Sequence, residues 1–208
     1  MKVVLVSQRI DRIESYGERR DALDVRWCEF LASAGLLGIP VPSMVDVDAL
    51  IGALDSLAGL VLTGGNDLST KSNDADSALR DRTESVLLDR MDHLGLPVVG
   101  VCRGMQFLAA RAGFELDPIE DHVAVRHEVT ALSGSTRFAS HAARVVNSFH
   151  NYGVYGTAAD YTAALAAPDG SIEAIEADSA AVFGVMWHPE REANFHPADI
   201  DLFRGVFG

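Results

Sequence analysis

Three short runs, VVLVS (3–7), GLVLTGG (59–65) and PVVGV (97–101), are apolar at every position rather than at alternate ones. A strand that reads this way is buried on both faces, which happens almost only in a parallel sheet covered by helices on either side. The intervening segments fit. Leu23, Trp27, Phe30, Leu31 and Ala34 recur at helical spacing and predict a helix over residues 17–34. GIPVPS and VDALIGAL read as a short strand and a short helix. Leu79, Val86, Leu87, Met91 and Leu94 mark one face of a helix over 76–94, which Gly95 ends as a C-cap, and another helix runs from Arg103 to Ala112. The first 112 residues thus predict a doubly wound α/β half. Beyond them HVAVRHEV, ARVVNSF, YTAALAAP, SIEAIEA and AVFGVMW read as strands, PDGS (168–171) as a hairpin turn and Pro197 to Phe207 as a closing helix. No linker separates the halves, so residues 1–208 are expected to form one domain.

Charge and cysteine content narrow the partners. Thirty acids against 17 bases, 15 of them arginine, give a formal charge of −13, which disfavours nucleic acid and anionic membrane. No apolar run reaches about 18 residues, and MKVVLVSQR is too short in its apolar part for a signal peptide, so a cytoplasmic location is expected. Two cysteines cannot make a disulfide framework. Cys28 flanks the apolar face of the first helix and reads as structural.

Cys102 reads differently. GVCRG follows an apolar strand and opens a helix, the arrangement of an elbow that lifts a nucleophile above a sheet, with small neighbours relieving the crowding. The helix N-terminus favours a thiolate there, and the backbone amide of Arg103 is placed to receive an oxyanion. His188-Pro189-Glu190 lies at another strand end. Extended geometry before proline would set His188 and Glu190 on one face, with Glu190 orienting the imidazole toward Cys102. A buried core cysteine and a solvated His-Pro-Glu turn are the plainer alternatives. The chain order Cys, His, Glu disfavours an α/β-hydrolase, whose acid precedes its histidine.

LTGGNDL, GVCRGMQFLA, VNSFH and GVMWHPE, in that order, resemble the class I glutamine amidotransferase-like family, in particular its stand-alone γ-glutamyl hydrolases. The resemblance implies a three-layer α/β/α fold of flavodoxin-like type around a mostly parallel sheet, with a Cys102, His188, Glu190 triad. It further implies an oxyanion donor from Gly64 and Gly65 to join Arg103, and a glutamyl site drawing on Gln106, Asn147 and Ser148; Asn66, His127 and His150 are further candidates to line the pocket. Met186 stands where the family often has glutamine, and His150-Asn151-Tyr152 where it often has HHQ, so the leaving-group side departs from the pattern. The opening SQRIDRIESYGERRDALDVRW resembles members found with surface-polysaccharide genes that cleave a γ-glutamyl phosphoramidate of CDP. Its Arg9, Arg12, Arg19, Arg20 and Arg26 could clamp phosphate, although Asp11, Glu14, Glu18, Asp21 and Asp24 balance them and a solvated helix face is the better account of the segment.

The remaining histidines predict no metal. His122 and His127 are five apart in a strand, hence on opposite faces, and His93, His141 and His196 read as surface residues. No zinc, P-loop or dinucleotide fingerprint is present, so no cofactor is expected. The residues point to hydrolysis of a small γ-glutamyl amide through a thioester, by a chain free to form a homodimer. A glutaminase subunit feeding ammonia to a separate synthase and a non-catalytic binding module on the same fold are the rival readings. Loops near 8–20, 42–46 and 147–156 would select the leaving group.

Overall fold

The computed structural model describes residues 1–132, 135–178 and 181–208. Its centre is a nine-stranded sheet. Five strands, β1 (Lys2–Ser7), β4 (Leu36–Val41), β5 (Gly59–Leu62), β6 (Val98–Val101) and β13 (Val182–Val185), run parallel in the order β4-β1-β5-β6-β13. The sheet then continues antiparallel through β12 (Ile172–Ala177), β11 (Tyr161–Ala166), β8 (Val123–Ala131) and β9 (Arg144–Phe149). β11 and β12 are joined through PDGS, as the turn chemistry predicts.

The fully apolar runs do bury both faces. Val4, Val6, Val61, Val99 and Val101 pack with Trp27, Phe30, Phe203 and Phe207 from helices α1 (Arg26–Ser33) and α5 (Pro197–Phe207). Leu5, Leu60, Leu62 and Val98 face the other way, onto Leu87, Met91, Met105 and Leu108 from α3 (Ala75–Leu94) and α4 (Arg103–Ala112), with α2 (Val47–Gly52) at the edge. The result is the three-layer α/β/α arrangement expected. No helix among the described residues is long and apolar enough to cross a membrane.

Four sequence expectations are corrected. Residues 17–25 are not helical: β2 (Arg9–Ile13) and β3 (Glu18–Ala22) form an antiparallel hairpin, and the helix begins only at Arg26. GERRDA carries no apolar stripe to bury, and Gly17 at φ +72° supplies the turn instead. Cys28 is exposed because Trp27, Phe30 and Leu31 take the buried face of α1. The buried face of α3 is polar over its first half, with Asp76, Ser77, Arg80 and Glu84 inside, while Val86 and Leu94 are exposed. His141 is buried: its Nε2 lies 3.1 Å from Asp199, which also accepts from Trp187 Nε1 at 3.1 Å and Arg144 Nη2 at 2.8 Å. Burial raises the Asp199 carboxyl, and His141 and Arg144 more than reverse this, holding it below its ordinary value.

Candidate active site

β5, β6 and β13 run in the same direction, so the segments leaving their carboxyl ends share one rim of the sheet. Cys102 follows β6 as the N-cap of α4, at φ 52° and ψ −107°, a left-handed conformation costly for a residue with a side chain. The crowding around it explains the flanking glycines. A β-carbon at Gly100 would fall 2.6 Å from the backbone of Gly104, and one at Gly104 would fall 2.1 Å from the carbonyl oxygen of Leu62 in β5. Only without side chains can the first turn of α4 sit this close to β5 and β6. The amide of Arg103, in that first turn, has no intrahelical acceptor.

His188 follows β13 and is buried against the double-glycine loop: a β-carbon at Gly64 would lie 2.6 Å from its Cε1 and 3.6 Å from Cβ of Cys102. The imidazole donates from Nδ1 to Glu190 Oε1 at 2.6 Å, and its Cε1–Nε2 edge and Cys102 face the same point over Gly64. Sequence reasoning places Glu190 beside His188 through an extended backbone. The structure instead folds Pro189–Arg191 into a 3-10 turn after an extended His188, and this turn brings the carboxylate back. Burial raises the Cys102 thiol, but the charge of His188 and its hydrogen bond, with smaller contributions from His150 and Arg191, bring it below its ordinary value. Burial lowers His188, and the charges of Cys102 and Glu190, with hydrogen bonds to both, lift it to about 10. Each group thus favours the charged form of the other, the direction that raises the share of the reactive thiolate.

Beneath the loop lies a charged layer that sequence reasoning missed. Arg80, fully buried, donates to the carbonyls of Thr63, Gly64 and Gly65 at 2.7, 2.9 and 2.8 Å and to Glu84 Oε1 at 2.9 Å. Glu84 also accepts from the side chain of Arg103, which reaches Asp81 as well. Turning three carbonyls downward toward Arg80 leaves the loop's amide side for the rim. The signal was available: residues 76, 80 and 84 are polar at helical spacing on the face that Leu87 and Met91 continue.

Several residues expected to hold substrate are engaged elsewhere. Asn147 accepts from the His188 amide at 2.8 Å and donates to the His188 carbonyl at 2.8 Å, so it positions the imidazole. Asn66 pairs with the backbone of Ile10, accepting at 2.8 Å and donating at 3.0 Å, and so pins the β2–β3 hairpin over the site. Ser148 donates to the carbonyl of His122 at 2.8 Å. Gln106 donates to the carbonyl of Tyr152 at 2.9 Å. His127 and His150 turn toward Glu173, at 3.6 and 3.5 Å, rather than into the cleft. The expectation that His122 and His127 point apart also fails. Ala124 at φ 57° breaks the register of β8 against β9, and this bulge returns His122 to the side of His127, with ring centroids 4.8 Å apart.

A small cleft of about 100 Å³ opens beside His188, bounded by Arg9, Asp24, Gly64, Gly65, Glu190 and Arg191. Of the arginines in the opening segment, Arg12 and Arg19 both bind Asp76, Arg20 binds Glu18, and Arg26 donates to the carbonyl of Glu192 at 2.8 Å. Arg9 stands at the cleft against Gly65, half-exposed and paired with Asp11 at 3.0 Å.

Comparison with known proteins agrees with this architecture. The γ-glutamyl-CDP-amidate hydrolase of Campylobacter jejuni is 30% identical over 188 residues, covering 90% of this chain and 89% of that protein. A γ-glutamyl-γ-aminobutyrate hydrolase of Escherichia coli O157:H7 is 25% identical over 219 residues, covering 91% and 86%. In structure, a glutamine amidotransferase of Thermotoga maritima superposes with a TM-score of 0.68 at 14% identity, covering 98% of this chain and 83% of that one. A Thermoplasma acidophilum protein provisionally described as part of a GMP synthase superposes with a TM-score of 0.75 at 22% identity, covering 100% and 94%. The Peptidase C26 family profile matches residues 3–190, and the chain belongs to that family, within the class I glutamine amidotransferase-like proteins.

Proposed function

We propose that the protein hydrolyses γ-glutamyl amides by way of a γ-glutamyl thioester, with Cys102 as nucleophile, His188 as acid and base, and Glu190 as its orienting carboxylate. The observation that carries this reading is a buried imidazole, braced by a carboxylate, facing the same point over Gly64 as a cysteine on a left-handed elbow at a helix N-terminus. In the first half-reaction the Cys102 thiolate attacks the γ-carbonyl carbon. Negative charge on the carbonyl oxygen is received by amides at Arg103 and in the Gly64-Gly65 loop. Collapse breaks the C–N bond as His188 gives its proton to the departing nitrogen. In the second, His188 takes a proton from water, the hydroxide adds to the thioester, and the C–S bond breaks to release glutamate and the thiolate.

The leaving group we favour is a nucleotide phosphoramidate. The Campylobacter relative is named for such a substrate, and Arg9 is the hairpin arginine that reaches the cleft, where its guanidinium can exchange Asp11 for a phosphate oxygen. A panel of glutamine, γ-glutamyl-GABA and a γ-glutamyl nucleotide phosphoramidate, assayed with the purified chain, tests both levels. Fastest cleavage of the phosphoramidate supports the leaving group. Glutamine hydrolysis only with a synthase present would favour the subunit reading. Cys102→Ala is expected to lower turnover about 10⁴-fold or more on whichever substrate is cleaved, with Glu190→Gln costing less. Near-wild-type turnover by Cys102→Ala would end the proposal.

A further inference from the structure

On the far side of β13 from Cys102 lies a group of buried side chains that the proposed chemistry does not use. The amide of Cys102 donates to the carbonyl of Val185, and the amide of the next residue, Met186, donates to the carbonyl of Glu173. Glu173 in β12 is therefore two strands from Cys102, roughly 10 Å. Around its carboxylate stand His150 Nε2 at 3.5 Å, His127 Nε2 at 3.6 Å and His122 Nδ1 at 3.9 Å, and the last approaches His150 Nε2 at 3.3 Å. All four ligand atoms lie within 4.8 Å of one another. Neither Glu173 oxygen has a hydrogen-bond partner, nor does Nε2 of His127, although Glu173 is only 1% exposed.

The outward ring nitrogens make this set more than a crowd. His122 Nε2 faces Asp169 at 3.1 Å, His127 Nδ1 faces the carbonyl of Glu128 at 3.3 Å, and His150 Nδ1 faces the carbonyl of Tyr152 at 3.0 Å. Each partner is an acceptor, so the tautomer that satisfies all three holds its protons on the outer nitrogens and turns the inner lone pairs toward Glu173. Ser148 cannot fill the gap, since its hydroxyl proton goes to the carbonyl of His122. In that tautomer three lone pairs and a carboxylate converge, and the 3.3 Å gap between His122 Nδ1 and His150 Nε2 is one that a cation or a proton must fill. Carboxylate and carbonyl acceptors behind ligating imidazoles are the usual second layer of a metal site.

We propose that His122, His127, His150 and Glu173 bind one zinc-class divalent ion. Zinc–nitrogen and zinc–oxygen bonds of about 2.0–2.2 Å put tetrahedral ligands about 3.3–3.6 Å apart, the range of three of the separations seen, 3.3, 3.5 and 3.6 Å. Three imidazoles with one carboxylate suit zinc or cobalt and are poor ligands for calcium or magnesium. With all four positions supplied by the protein, the site is structural, tying β8 and the end of β9 to β12. Its ring alignment depends on the β8 bulge, without which His122 would face away.

Metal content decides the matter independently of turnover. The full chain is stripped with a chelator, loaded with zinc or cobalt(II), desalted and measured by elemental analysis. About one ion per chain is expected, together with the intense visible absorption of tetrahedral cobalt. Glu173→Gln and His127→Gln should each reduce retention at least about tenfold; His127, at the rim, is the change that least threatens folding, which circular dichroism checks. Cys102→Ala should retain the ion fully, separating this site from capture by the thiol and His188. Failure of the wild type to retain zinc or cobalt would overturn the proposal in favour of a proton-bridged histidine network. So would equal retention by both variants, or loss of the ion in Cys102→Ala.

Discussion

Two buried polar layers flank the thiol–imidazole pair, and they are finished to different degrees. Under the double-glycine loop, the three nitrogens of Arg80 are all engaged by Glu84 and three backbone carbonyls, and Arg103 is held by Glu84 and Asp81. Across β13, both Glu173 oxygens and His127 Nε2 are buried without a hydrogen-bond partner, while His122 Nδ1 and His150 Nε2 face each other at 3.3 Å. The first layer is an assembly of opposite charges that pairs its donors with its own carboxylates and carbonyls, Arg103 Nε excepted, and holds a loop. The second is an assembly of acceptors, whose favourable form requires a cation or a proton from outside. Burial alone therefore does not identify a ligand site; the direction of every lone pair does.

Breaking the finished layer should have the largest effect. Glu84→Gln leaves two buried guanidinium groups with reduced compensation, at a cost of about 3–5 kcal/mol, read as a lower urea midpoint at unchanged slope. Because Arg80 also holds the carbonyls of residues 63–65, thiol reactivity should fall in the same variant. A loss within about 0.5 kcal/mol, the range of an ordinary surface change, would show that the layer does not carry the loop.

Between the layers, the charge state of Cys102 is the next largest effect. The thiolate contributes stability that is fully present above about pH 8.5, the unfolded thiol value, and is lost as pH falls through its lowered folded value. The imidazolium contributes stability that is fully present below about pH 6.5 and is lost as pH rises through about 10. Alkylation of Cys102 by iodoacetamide should therefore titrate below about pH 8.5, the ordinary thiol value, and His188→Ala should move that midpoint upward and slow alkylation on its acid side. An alkylation profile in the wild type that titrates near pH 8.5 would refute the ion pair.

The parallel half was legible because its signals are local. VVLVS, GLVL and VVGV bury both faces wherever they are placed, and GVCRG specifies a tight strand-to-helix join through the absence of two β-carbons. The antiparallel half depends on one residue out of step. A bulge at Ala124 reverses the side to which His122 points, and nothing in HVAVRHEV announces it to a reading based on alternation. Asn66, Asn147 and Ser148 were legible as polar residues near the site, but residue type does not say whether an amide faces substrate or backbone. The β2–β3 hairpin was hidden because the helical spacing from Leu23 onward was extended backward over a segment with almost nothing to bury.

The unfinished layer should yield the smallest effect, and the contrast with Glu84→Gln is the sharpest test of the comparison. In chelator-stripped protein, Glu173→Gln exchanges a desolvated carboxylate that no donor reaches for a neutral amide of the same shape. With lone pairs facing the carboxylate there is little attraction to lose and a buried charge is relieved, so the change in unfolding free energy should stay within about 1 kcal/mol. Repeating the melt with zinc at saturation should separate the two proteins, because an ion bound only by the folded chain raises the wild-type midpoint and leaves the variant where it was. The two buried carboxylates then differ in kind: Glu84 stabilises the chain as it stands, whereas Glu173 stabilises it only through what it binds. A stripped Glu173→Gln that loses as much as Glu84→Gln would show that both layers are closed networks and remove the distinction.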